Sequence, residues 1–135
     1  MDRHLFVTIV QREARASHDD ADRAARATLQ TLGERLSNGE AHELARHLPL
    51  ELATLLEGGR TAPAFDADEF VRRVAERENT APATAAHHAR SVAVALGQTL
   101  SADELADLAS ELPPDLSELL NVTAVRYEAH APRAA

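Results

Sequence analysis

The apolar positions of this chain fall in one-sided stripes of helical spacing, not in strict alternation. Leu5, Phe6, Ile9 and Val10 recur at i, i+1, i+4 and i+5, which predicts a helix over residues 2–15 with one buried face. A second stripe, Ala25, Thr28, Leu29, Leu32 and Leu36, predicts a longer helix over residues 19–35. Ser37-Asn38-Gly39-Glu40 is an S-x-x-E capping box, in which the serine oxygen takes an orphan N–H and the glutamate reaches back. It opens a third helix whose inward face is Leu44, Ala45 and Leu48. Pro49 starts a short fourth helix carrying Leu52, Leu55 and Leu56, and Gly58-Gly59 stops it.

The same sentence is then written again. Sliding the chain by 64 residues aligns its halves without a gap, with 19 identities over the 55 pairs from residue 2 to 56. Phe6-Val7 meets Phe70-Val71, Leu32-Gly33 meets Leu96-Gly97, Leu36-Ser37 meets Leu100-Ser101, and Leu48-Pro49 meets Leu112-Pro113. The second copy predicts helices over 66–78 and 81–99, the first opened by a D-x-x-E start at Asp66 and Glu69, with Pro82 in the first turn of the other. A third opens at the capping box Ser101-Ala102-Asp103-Glu104, and a fourth follows Pro113, stopped by Asn121. The expected fold is an all-α helical bundle of two tandem pseudo-symmetric repeats, 2–57 and 66–120, joined by a linker at 58–65. A lone repeat of this size has a marginal core, so the two are expected to fuse into one domain over 1–120. The tail, 121–135, is expected to be partly disordered; either it is disordered past Ala129 or its apolar start packs on the bundle.

These residues resemble the bacterial family called domain of unknown function 2267. The likeness rests on Phe6-Val7, on Leu32-Gly33-Glu34-Arg35-Leu36-Ser37-x-x-Glu40-Ala41, and on Leu48-Pro49 with the leucines after it. Leu96-Gly97, Leu100-Ser101-x-x-Glu104 and Leu112-Pro113 repeat it in the second copy. The resemblance covers roughly residues 2–120 and implies a small, all-helical bacterial protein. It supplies no activity, ligand or catalytic residue.

Composition narrows the field. Aromatics are 3% of the chain, so the core must come from Leu, Val, Ile and Ala. With no cysteine, thiolate catalysis and cysteine-held metals are excluded. The formal charge is −8, from 22 acids against 14 bases, which disfavours nucleic acid. The densest bases, Arg72, Arg73 and Arg77, are interleaved with Glu69, Glu76 and Glu78. The N-terminus has no signal-peptide core and no apolar run reaches transmembrane length, so a cytoplasmic location away from membranes is expected.

Candidate chemistry is sparse. The seven histidines, His4, His18, His42, His47, His87, His88 and His130, are read as surface residues, because none is His in both copies and no inward Glu-x-x-His pair occurs. Glu43 and His47 share a helix face, but their counterparts are Asp107 and Glu111. No G-x-S-x-G elbow, phosphate loop or H-E-x-x-H helix is present, and Ser37 and Ser101 read as helix caps, so no enzyme and no cofactor are expected. Arg26 and Arg90 recur mid-helix, as do Glu40 and Glu104; the expected pairs are Arg26–Glu40 and Arg90–Glu104.

The charge is uneven. Asp103 to Glu118 holds six acids and no base, and Asp107, Glu111, Asp115 and Glu118 would form one acidic ridge if the helix bent only slightly at Pro113-Pro114. This points to a non-enzymatic interaction or scaffold module docking a basic protein partner on that ridge. The alternative is a binder of a small apolar or anionic ligand between the repeats, in a leucine-lined pocket with Arg26 or Arg90 at its mouth. A homodimer is compatible with either.

Overall fold

The protein is described by a computed structural model covering residues 1–58 and 64–122. The described residues form eight helices and no strand: α1 (Arg3–Ala14), α2 (His18–Arg35), α3 (Asn38–Ala45), α4 (Leu50–Glu57), α5 (Ala67–Glu78), α6 (Pro82–Thr99), α7 (Ala102–Glu111) and α8 (Pro114–Leu120). Each of the last four starts 64 residues after its counterpart in the first four, the offset seen in the sequence. Most of the expected linker, residues 59–63, and most of the tail, from residue 123, lie outside the described residues. Of the tail's start, Val122 is buried against the bundle and its N–H donates to the Ser117 carbonyl at 3.1 Å.

Local chemistry sets the helix starts. Asp2, Ser17, Ser37, Asp66 and Ser101 each sit in extended backbone and accept a hydrogen bond from the third amide beyond them. Each such cap is worth about 1 kcal/mol. Of the three expected boxes only Ser101–Glu104 closes both ways, the Ser101 N–H donating to Glu104 Oε1 at 2.7 Å. The Ser37 N–H instead donates to Glu111 Oε1, 3.3 Å away on α7, and the Glu69 carboxylate is drawn off by Arg72 and Arg73. A charged guanidinium is a stronger donor than a neutral amide, so it wins that contest.

The apolar stripes pool into one buried cluster with members from both halves of the chain. Helices α2 and α6 touch each other; α1 packs on α2 and on α6, and α5 packs on α6 and on α2. Each half thus covers the long helix of the other. Because α1 is enclosed from two sides, Val7 is buried along with Phe6, Ile9 and Val10, while Leu5, expected inside, lies at the stripe's edge and is half exposed. Helix α4 lies on α2 so closely that a Cβ on Gly33 would stand 2.3 Å from the Leu56 carbonyl oxygen; only glycine permits the contact.

Candidate functional site

Helices α3 and α7 meet in opposite senses. Glu111, at the end of α7, reaches the Ser37 amide before α3, while Glu104, in the first turn of α7, pairs with His47 beyond the end of α3. Between them lies a groove of about 50 Å³ lined by Glu40, Glu43, Leu44, His47, Glu104 and Asp107. That volume is a few times the roughly 10–15 Å³ one water needs, and is well below the ~300 Å³ of a small-molecule site; a single charged head group is its scale.

The two recurring glutamates have opposite surroundings. Glu104 is held below its usual pKa, first by the Ser101 amide and then by His47. Glu40 is pushed up, first by burial and then by the like charges of Glu111, Asp107 and Glu43. Residues 47 and 111 are counterparts under the 64-residue offset, and one is His where the other is Glu. That single difference gives Glu104 an imidazole partner and Glu40 another carboxylate. Among the described residues Glu40 has no ion-pair partner, whereas Glu43 is bridged by Arg46 at 3.3 Å.

Several expected pairings are corrected. Arg26 and Arg90 are exposed and form no ion pair among the described residues, so the pairs Arg26–Glu40 and Arg90–Glu104 do not exist there. Arg26 lies nine residues before the end of α2, about 13 Å along the axis at the usual helical rise, and cannot reach the start of α3. Arg26 instead borders two open surface grooves, one beside Asp22 and Arg77, the other beside Arg3 and Glu51. The acidic ridge is also broken. Leu112 and Pro113 are both extended, because proline disfavours helix in the residue before it and lacks the amide that would continue the ladder. Glu111 is occupied by Ser37, and Asp115 accepts from the Ala67 amide at the start of α5 at 3.0 Å. Asp107 and Glu118 remain exposed, on separate helices.

Two groups escaped the sequence. Glu34 on α2 receives Arg77 from α5 in a bidentate pair at 2.9 and 2.7 Å, and Arg73 at 3.2 Å. Arg77 also donates to the buried Thr31 hydroxyl at 2.7 Å, and Arg73 stacks over the Phe65 ring at 4.3 Å. No local spacing signals partners some 40 residues apart. The other group is His88, which is buried, not on the surface as expected, with Nδ1 2.6 Å from Glu78 Oε1. The signal was in the repeat alignment, where the matching residues are Ala14 and Ala24. Of the other histidines, His42 pairs with Glu57 at 2.7 Å, His87 Nε2 lies 3.0 Å from the Ala14 carbonyl, and His130 is outside the described residues. Among the described residues no three His, Asp or Glu side chains are placed to hold a metal ion.

The family model described as an uncharacterized conserved protein (DUF2267) matches residues 3–119. The chain belongs to the DUF2267 family. The match begins at the first residue of α1 and ends one residue before the last of α8, so the α3–α7 groove lies wholly inside the DUF2267 region. No curated protein matches the chain. No helix among the described residues is long and apolar enough to cross a membrane.

Proposed function

We propose that this DUF2267 protein is a non-enzymatic interaction module of the cytoplasm, and that the α3–α7 groove takes a guanidinium or ammonium group from a basic segment of a protein partner. One observation carries the reading: Glu40 is a partly buried carboxylate facing three further carboxylates, with no cation to answer it among the described residues. Such a group gains from an incoming positive charge twice, by direct pairing and by relief of repulsion. The groove's size suits a side-chain head group and not a metabolite. The docking face is therefore Glu40, Glu43 and Asp107; Glu111, Asp115 and Glu118 contribute field more than contact. The two halves, 2–57 and 66–120, are read as repeats fused in one domain, supported by the shared helix offset and the single buried cluster.

The test is a titration of the full chain with a short arginine-glycine peptide, followed by fluorescence anisotropy. Binding should weaken with salt, and the double variant Glu40→Gln, Asp107→Asn should lose about fivefold or more in affinity with an unchanged circular dichroism spectrum. Equal affinity for variant and wild type would remove the groove as the docking site.

A further inference from the structure

At another place where the halves meet, α1 and α5 end, and α2 and α6 begin, around an open cleft of about 430 Å³. Its first-half side carries Arg15, Asp20 and Arg23; its second-half side carries Glu78, His87 and His88. Glu78 is 4% exposed and His88 9% exposed. Glu78 Oε1 is engaged by His88, but Oε2 is buried with no hydrogen-bond partner among the described residues.

Packing does not require this pair. Sixty-four residues earlier the same helix positions hold Ala14 and Ala24, both buried. Methyl groups fill the space there, while the second half takes ionisable groups out of water and leaves an oxygen unsatisfied, an arrangement that opposes folding. Burial pushes the Glu78 carboxyl up, and His88 only partly offsets this. The opposite wall offers the complementary chemistry. Arg23 is held by Asp20 at a loose 3.6 Å, and Arg15 forms no ion pair among the described residues.

We propose that this cleft binds a small amino- or hydroxy-carboxylate of about the size of a free amino acid. Its ammonium or hydroxyl group donates to Glu78 Oε2, which a turn of the carboxylate brings to the cleft, and its carboxylate is taken by Arg15 and Arg23. The volume is within the range of small-molecule sites, about 300–1,000 Å³. The site is separate from the α3–α7 groove, and neither reading depends on the other.

The experiment is a ¹H–¹⁵N NMR titration of the full chain with L-alanine, L-lactate and propionate. Alanine supplies the ammonium donor, lactate the hydroxyl donor, and propionate neither. Saturable shifts at Asn79, Thr84, His87 and His88 are expected with alanine or lactate, and the tighter of the two identifies the donor. Propionate should bind at least about tenfold more weakly, the usual penalty for leaving a buried polar group unpaired. The double variant Glu78→Ala, His88→Ala, which installs the first half's own residues, should fold and lose the saturable shifts. Glu78→Gln, which keeps the shape, should weaken binding by a similar factor. The proposal falls if no saturable shift occurs, if propionate matches the other two, if the double variant unfolds, or if Glu78→Gln binds as wild type.

Discussion

Glu34 and Glu40 lie six residues apart in the chain, and the fold treats them in opposite ways. Glu34, at the α2–α5 contact, is enclosed by Arg73 and Arg77 and held below its usual pKa, first by the Arg77 hydrogen bonds. Glu40, at the α3–α7 contact, is raised by burial and by three carboxylates. Both sit where the two halves of the chain meet, so similar burial can either fasten or strain an interface. The sign is set by what the opposite helix presents: α5 brings two arginines and α7 brings two acids. A fastened contact is structural, and a strained one has stabilisation left to gain from a partner.

The largest test of this contrast is Glu34→Ala. It leaves the partly buried Arg77 with the Thr31 hydroxyl alone and takes one of two carboxylates from Arg73, and should cost about 2 kcal/mol in urea unfolding. Arg77→Ala should cost a similar amount, and the double variant should fall short of the sum, because both remove one interaction. Acid provides the next test. A carboxylate whose folded pKa is lowered contributes stability above its unfolded pKa and loses it as pH falls through the folded value. Glu34 behaves in this way, joined by Glu69, which Arg72 and Arg73 pull down to about 2. Stability should therefore decline as pH falls below the ordinary carboxylate range, and decline less in Glu34→Gln.

The smallest effect is the most diagnostic. Glu40, with a raised folded pKa, opposes folding increasingly as pH climbs from its unfolded pKa to the folded one, where the penalty levels off, and does not below its unfolded pKa. Glu40→Gln should thus raise stability at neutral pH by about 0.5 kcal/mol, and the gain should vanish in acid. A destabilised Glu40→Gln at neutral pH would mean that the groove already holds a counter-charge.

Much of this architecture was legible before any coordinates. Helix starts at Asp2, Ser37, Asp66 and Ser101 were readable because caps are local: the residue and the amide it accepts lie three apart. The stripes of α2 and α6 were readable because burial follows helical period. Polar contacts between helices were not. Recurrence of Arg26 and Glu40 suggested a pair, but recurrence carries no distance, and the helical rise separates them. The break between α7 and α8 hung on how far Pro113 and Pro114 bend the chain, and extended backbone at Leu112 and Pro113 decides it. His88 and Glu78 were hidden because a buried acid–base pair has no periodic signature; only its contrast with Ala24 and Ala14 marks it.

The packing of α1 on α6 has a consequence for synthesis. Helix α1 rests part of its apolar surface on a helix that ends at Thr99, and is made well before it, and the amide of Ser37 meets Glu111 only after α7 exists. The first half therefore emerges with Phe6, Val7 and Val10 short of one of their two coverings, and cannot close until most of the chain has been translated. Contacts of this separation slow folding relative to bundles whose neighbours are consecutive, and they leave the nascent chain exposed to aggregation meanwhile. Recovery of folded protein is therefore expected to depend on that waiting time as well as on the stability of the finished bundle.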